Sequence, residues 1–127
     1  MKKILVIDDE VDFCSAIEEH LKSAGEYEVS VCSESTDAVR LVREVQPDLI
    51  LLDIRMQGVS GDQIAERLKS REETRSIPIV FLTAVVTDEE TRERRNVIGG
   101  HYFVAKPVRI DELQEVVRSV LSEQEES

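Results

Sequence analysis

A chain of 127 residues with 41% hydrophobic content is long enough for one domain that removes roughly two thirds of its unfolded surface from water, so it needs no disulfide staple. The net charge of -11 argues against a domain that itself grips nucleic acid or an anionic membrane, since both depend on clustered Lys and Arg neutralising phosphates. Cys14 and Cys32 lie in no CxxC or Cys/His spacing, which excludes the common structural metal and redox motifs and reads as reduced thiols in a cytoplasmic protein.

The first predicted element is the apolar run Ile4–Ile7, short enough for a strand. Met1, Lys2 and Lys3 resemble the basic start of a signal peptide, but the run ends at Asp8, Asp9 and Glu10, too soon for export or membrane insertion. Helical spacing follows, with Phe13, Ile17 and Leu21 on one face and His20 among Glu18, Glu19 and Lys22 on a solvated one. Val29–Cys32 alternates apolar with polar and predicts a strand at a sheet edge. Ala38, Leu41, Val42 and Val45 give a second helix, Leu49–Leu52 a third strand that runs into Asp53. Ser60 and Gln63 stand at capping-box spacing and open a third helix.

The fourth strand is Ile79–Leu82, followed by Thr83. Thr87 and Glu90 predict the start of a fourth helix, almost wholly charged from Asp88 to Arg95, with apolar contacts only at Val97 and Ile98 and a stop at Gly99 and Gly100. It is expected to be the least firmly anchored helix. His101 is assigned to the loop entering a fifth strand, Tyr102–Ala105, which leads into Lys106 and Pro107. Leu113, Val116, Val117, Val120 and Leu121 form the stripe of a final helix, and residues 122–127 read as an acidic tail or the start of a linker.

Five strands alternating with five helices predict an α/β fold, a doubly wound parallel sheet in a single domain over residues 1–121. Near-continuous apolar strands imply helices on both faces. In such a sheet the working site lies beyond the carboxyl ends of the strands. There the chain places Asp8 and Asp9, Asp53, Thr83, and Lys106. Three close carboxylates repel one another unless a cation sits among them, and hard oxygen ligands suit Mg²⁺. Asp53, central and preceded by four apolar residues, is the best nucleophile toward a phosphoryl group, with Asp8 and Asp9 as metal ligands. The Thr83 hydroxyl and Lys106 ammonium would hold the remaining phosphoryl oxygens. Taken singly, each has a plainer reading: Asp8 and Asp9 also suit the positive end of a helix dipole, and Thr83 and Lys106 are ordinary strand-end residues.

Ile7-Asp8-Asp9-Glu10, Leu51-Leu52-Asp53-Ile54-Arg55-Met56, Thr83-Ala84 and Lys106-Pro107 together resemble the signature of two-component response regulator receiver domains, in order and over nearly the whole chain. The resemblance implies a flavodoxin-like sheet of order 2-1-3-4-5, an order the chemotaxis-type receivers exemplify. It implies phosphoryl transfer from the phosphohistidine of a histidine kinase, or from a phosphotransfer protein, to Asp53. The metal would be completed by the backbone carbonyl of Arg55. It further implies a switch in which Thr83 moves toward the phosphoryl group and Phe103 rotates inward. Such a domain is no enzyme beyond its own phosphotransfer and slow autodephosphorylation. Signalling would use the face of the fourth helix, fifth strand and fifth helix, and the resemblance admits a phosphorylation-dependent dimer. The effector is not legible.

The chain departs from the commonest receiver pattern at several positions. Gln57 stands where proline is usual, which predicts a less stiff loop after the third strand. Phe103 replaces the more familiar tyrosine, so it lacks a hydroxyl, while the adjacent Tyr102 should point to the opposite side of the strand. Arg55 and Val85 flank the acceptor, where the phosphoryl lifetime would be tuned. Two rival functions fit less well. An aspartyl-phosphate hydrolase typically needs a second acid where Arg55 stands, and a nucleotide or flavin binder needs a glycine-rich turn where Asp8-Asp9-Glu10 would repel bare phosphate. A non-phosphorylated scaffold of the same fold would be expected to lack the acceptor or its acid partners.

Overall fold

The computed structural model describes residues 1–84, 97–98 and 101–126. Its strands are β1 (Lys2–Ile7), β2 (Tyr27–Cys32), β3 (Leu49–Asp53), β4 (Ile79–Thr83), β5 (Val97–Ile98) and β6 (His101–Ala105). Its α-helices are α1 (Val11–Ser23), α2 (Ala38–Val45), α3 (Gly61–Lys69) and α4 (Ile110–Glu126), with a 3₁₀ turn at Ser35–Asp37. The strand order is β2-β1-β3-β4-β6-β5, parallel except for the antiparallel pairing of β5 with β6. The five long strands therefore follow the expected order 2-1-3-4-5, with β6 in the place of the fifth.

The apolar runs account for this arrangement. Ile4–Ile7, Leu49–Leu52 and Val80–Leu82 fill the middle of the sheet and are buried, because helices cover both faces. Alternate residues point to opposite faces, so two cores form. Ile4, Val6, Leu49 and Leu51 pack with Ile17 and Leu21 of α1 and with Leu113, Val117 and Val120 of α4. Leu5, Ile7, Ile50 and Leu52 pack with Val42 of α2 and with Ile64 and Leu68 of α3. The edge position and alternating burial of β2 match its alternating sequence. At the head of α3 the Ser60 amide donates to Gln63 Oε1 at 3.1 Å, as the capping-box spacing predicts.

Two expectations meet a different outcome. Val97 and Ile98 are not the end of a helix; they form β5, paired with Tyr102 and His101, in keeping with the preference of β-branched residues for extended backbone. His101 is the first residue of β6 rather than part of the loop before it. Among the described residues, the expected five parallel strands are thus joined at the edge by a short antiparallel sixth. The charged helix from Asp88 to Arg95, the Thr87–Glu90 cap and the Gly99–Gly100 stop lie outside the described residues, among which there are four α-helices. The final helix runs to Glu126 and takes in most of the acidic stretch after Leu121.

Tyr102 and Phe103 do face opposite sides of β6: Tyr102 packs with the α1/α4 core and its hydroxyl donates to Glu123 of α4, whereas Phe103 packs with the α2/α3 core. Among the described residues no helix is long and apolar enough to cross a membrane.

Candidate functional site: an acidic cluster at the strand ends

Register brings the candidate residues together. Ile7 pairs with Leu52, which sets Asp8 level with Asp53 one residue beyond each apolar run. Asp53 pairs with Leu82, and Thr83 pairs with Ala105, so Thr83 and Lys106 end the next two strands at the same rim. Carboxylate oxygens of Asp8, Asp9 and Asp53 all lie within 4.8 Å of one another. Asp8, Asp53 and Thr83 are buried, while Asp9 is partly exposed.

Lys106 answers part of this negative charge. Its ammonium donates to Asp8 Oδ2 at 2.7 Å and lies 3.6 Å from Asp53 Oδ2 and 3.4 Å from Glu10 Oε1. It also sits over the Phe13 ring, 4.4 Å from the centroid, a cation–π contact that steadies a long side chain. Burial lowers the pKa of Lys106, but the hydrogen bond and charge of Asp8, helped by Asp53 and Glu10, outweigh it and hold the ammonium above its usual range. Asp8 also accepts the Glu10 amide at 3.0 Å, so a fully buried carboxylate has partners on both oxygens.

Asp53 is less well compensated. Burial and the charge of Asp8 push its pKa up to about 6, against the lowering influence of Lys106 and of the Arg55 backbone amide. Its side chain retains 6% of its accessible surface, which recesses the acid without enclosing it. Three carboxylates facing one ammonium leave an excess of negative charge on hard oxygen donors, and that donor chemistry fits a divalent cation of the Mg²⁺ kind. The Arg55 side chain is exposed beside an open cleft of about 510 Å³ shared with Asp9, Met56, Gln57 and Asp62.

The loop from Ile54 to Ser60 is fixed by contacts that the side-chain pattern did not suggest. The Gly61 amide donates to the Ile54 carbonyl at 2.8 Å, and a Cβ on Gly61 would stand 2.2 Å from the Asp53 carbonyl oxygen, so only glycine permits this approach to the strand end. The buried Ser35 hydroxyl donates to the Gln57 carbonyl at 2.8 Å and accepts the Val59 amide at 3.0 Å. The Gln57 amide donates to Asp9 Oδ2 at 3.0 Å, which a proline could not do. Gly61, Ser35, Phe13 and the Gln57 peptide are thus site residues the sequence reading missed. Phe103 is half-buried, its ring stacked on Phe81 with centroids 5.4 Å apart. Val85 lies outside the described residues.

The cysteines stand apart from the chemistry. Cys14 is buried and donates to the Asp8 carbonyl at 3.1 Å, and burial with the charge of Asp8 pushes its thiol up to about 12; burial likewise raises Cys32. Neither is a ready thiolate. His20 is exposed on α1, as its charged neighbours predict.

Comparison with known proteins shows which family the chain resembles in sequence and fold. The phosphate regulon transcriptional regulatory protein PhoB of Pseudomonas aeruginosa is 36% identical over 120 residues, which are 94% of this chain and 52% of that protein. The polar-differentiation response regulator DivK of Brucella ovis is 30% identical over 123 residues, covering 96% of this chain and 98% of that one. A response regulator structure from Chloroflexus aurantiacus superposes with a TM-score of 0.80 at 26% identity, covering 95% of this chain and 98% of that chain. The chain spans about half the length of several of the curated relatives it matches. The family model for the response regulator receiver domain matches residues 4–118, and the chain belongs to that family, the phosphorylation-signalling modules of two-component systems.

Proposed function

We propose that Asp53 is the phosphoacceptor of a Mg²⁺-dependent switch driven by the phosphohistidine of a histidine kinase or phosphotransfer protein. The observation that carries this reading is the convergence of Asp8, Asp9 and Asp53 within 4.8 Å at the carboxyl ends of β1 and β3. The carboxylates of Asp8, Asp9 and Asp53 and the backbone carbonyl of Arg55 would hold the ion. When bound, it supplies charge neutralisation for the transferring phosphoryl oxygens.

The remaining work falls to the chain. An Asp53 carboxylate oxygen forms a bond to phosphorus as the phosphorus–nitrogen bond of the donor breaks, and the electron pair returns to the imidazole nitrogen. A pKa of about 6 keeps Asp53 mainly ionised, and hence nucleophilic, at neutral pH even before a cation lowers it further. Lys106, already 3.6 Å from Asp53 Oδ2, is placed to pair with a phosphoryl oxygen on the new acyl phosphate. The Thr83 hydroxyl turns toward the same group, and Phe103 rotates from its half-buried stack on Phe81 into the space Thr83 leaves. Residues 1–121 constitute the switching unit, and 122–127 lie outside it. We place the domain in the cytoplasm, where it binds neither nucleic acid nor membrane itself; the changed surface selects an effector or a second copy of the domain.

The test is intact-mass analysis after incubation with Mg²⁺ and acetyl phosphate, with beryllofluoride binding as a parallel probe. Wild-type protein is expected to gain one phosphoryl adduct that EDTA prevents, and Asp53→Asn to gain none. An adduct on the variant at the wild-type level overturns the assignment.

A further inference from the structure

The three acids of the cluster are held in different ways. Asp8 is locked between the Lys106 ammonium and the Glu10 amide, and Asp53 is fixed by its place at the end of β3 and by Lys106. Asp9 lies beyond the end of β1, partly exposed, and its carboxylate is met by the loop after β3, through the Gln57 amide at 3.0 Å. That amide does not stand alone. The same residue's carbonyl accepts the Ser35 hydroxyl at 2.8 Å, and Ser35 also receives the Val59 amide at 3.0 Å. Gly58, between them, has φ +87 and carries no Cβ, which would stand 2.9 Å from Ser35 Oγ. A buried hydroxyl on one side and a carboxylate on the other thus grip a single exposed residue by its backbone.

We propose that Gln57 is a positioning residue for the metal site: its backbone N–H, backed by Ser35, holds the Asp9 carboxylate facing Asp8 and Asp53 before an ion arrives. This rests on the Mg²⁺-dependent reading above and deepens it. A carboxylate offers about four acceptor directions, so one amide bond leaves Asp9 free to ligate. Partners of this kind orient ligands and lower the cost of gathering them, and losing one typically weakens metal binding 10- to 100-fold, roughly. The Gln57 side chain plays no part; the loop's grip on Asp9 comes from having a backbone donor at this position, which replaces the stiffness a proline would give.

The experiment separates donor from side chain. Mg²⁺ affinity is measured by titration calorimetry on the wild type, Gln57→Ala and Gln57→Pro, with thermal unfolding in EDTA alongside. Gln57→Pro is expected to bind about tenfold more weakly than Gln57→Ala at similar thermal stability. Equal affinities in the two variants overturn the proposal. Amide exchange at Gln57 in EDTA supplies a readout that needs neither metal nor a proline variant that folds. Exchange is expected to quicken at least about tenfold in Asp9→Ala, as a lost protecting bond requires, and an unchanged rate overturns the proposal. Wild-type protein that binds no Mg²⁺ at all defeats the metal reading itself, whereas wild-type binding with equal variants defeats only the role given to Gln57.

Discussion

The interior of the sheet and the rim one residue beyond it are almost equally buried and opposite in chemistry. Leu49–Leu52 are apolar and fully buried, and the next residue, Asp53, is a buried acid; Ile4–Ile7 and Asp8 repeat the pattern. Burial removes water in both places. In the interior that is the driving force of folding, about 25 cal/mol for each Å² of apolar surface. At the rim it leaves carboxylates in want of a cation, with Lys106 compensating only in part. The same sheet therefore supplies stability along its strands and would carry the proposed phosphotransfer at their ends, and the boundary between the two is one residue wide.

Substitutions on either side of that boundary should separate stability from function. The largest effect on stability is expected inside. Leu51 lies in the α1/α4 core, and Leu51→Ala should cost about 2–5 kcal/mol by urea unfolding because its neighbours cannot close the cavity. The fraction that remains folded should bind Mg²⁺ as the wild type does. A loss of metal affinity per folded molecule would mean that core and rim are not separable in this way.

Asp53→Asn, on the other side, should stabilise the metal-free protein. The native pKa of about 6 lies above the unfolded value of 3.8, so the folded state holds its proton to higher pH than the unfolded chain does. Stability then falls as pH rises from about 4 to about 6 and stays low above, by roughly 2–3 kcal/mol at most. In EDTA the variant should exceed the wild type near pH 7.5, and the difference should shrink toward zero as pH drops to 4. A constant difference across that range would mean that Asp53 is not the source of the strain. Added Mg²⁺ should narrow the difference at pH 7.5 by stabilising the wild type more, since an ion favours the ionised acid.

How much of this could be read from the sequence follows the same boundary. The strands were legible because runs such as Ile4–Ile7 and Leu49–Leu52 have one physical explanation, a sheet covered on both faces. The acids were legible because a parallel sheet gathers whatever follows its strands. What escaped was carried by the backbone or by an approach between segments distant in sequence. The Gln57 amide has no side-chain signature, Ser35 reaches the loop 22 residues away, and Gly61 matters only because of what lies 2.2 Å from an absent Cβ. Phe13 read as core and is also the shelf under Lys106, a double role that helical spacing cannot separate. Val97 and Ile98 fell to a sheet edge rather than a helix end because pairing with β6 is a tertiary contact that local pattern does not report.

The smallest expected effect is the most local. Ser35 is 7% exposed, and its hydroxyl both donates to Gln57 and accepts from Val59. Ser35→Ala removes both bonds, but the orphaned groups sit on an exposed or half-buried loop where water can replace the hydroxyl. The cost should therefore be nearer about 1 kcal/mol than the full penalty of a buried unsatisfied group. Its signature should differ from that of Leu51→Ala in distribution more than in size. A cavity in the core lowers the protection of every amide that exchanges by global unfolding, whereas a lost clasp should speed exchange at Gln57 and Val59 while leaving β1 and β3 protected. If the loop amides exchange no faster than in the wild type while the strands lose protection, Ser35 belongs with the interior, and the rim's geometry is held by the sheet alone.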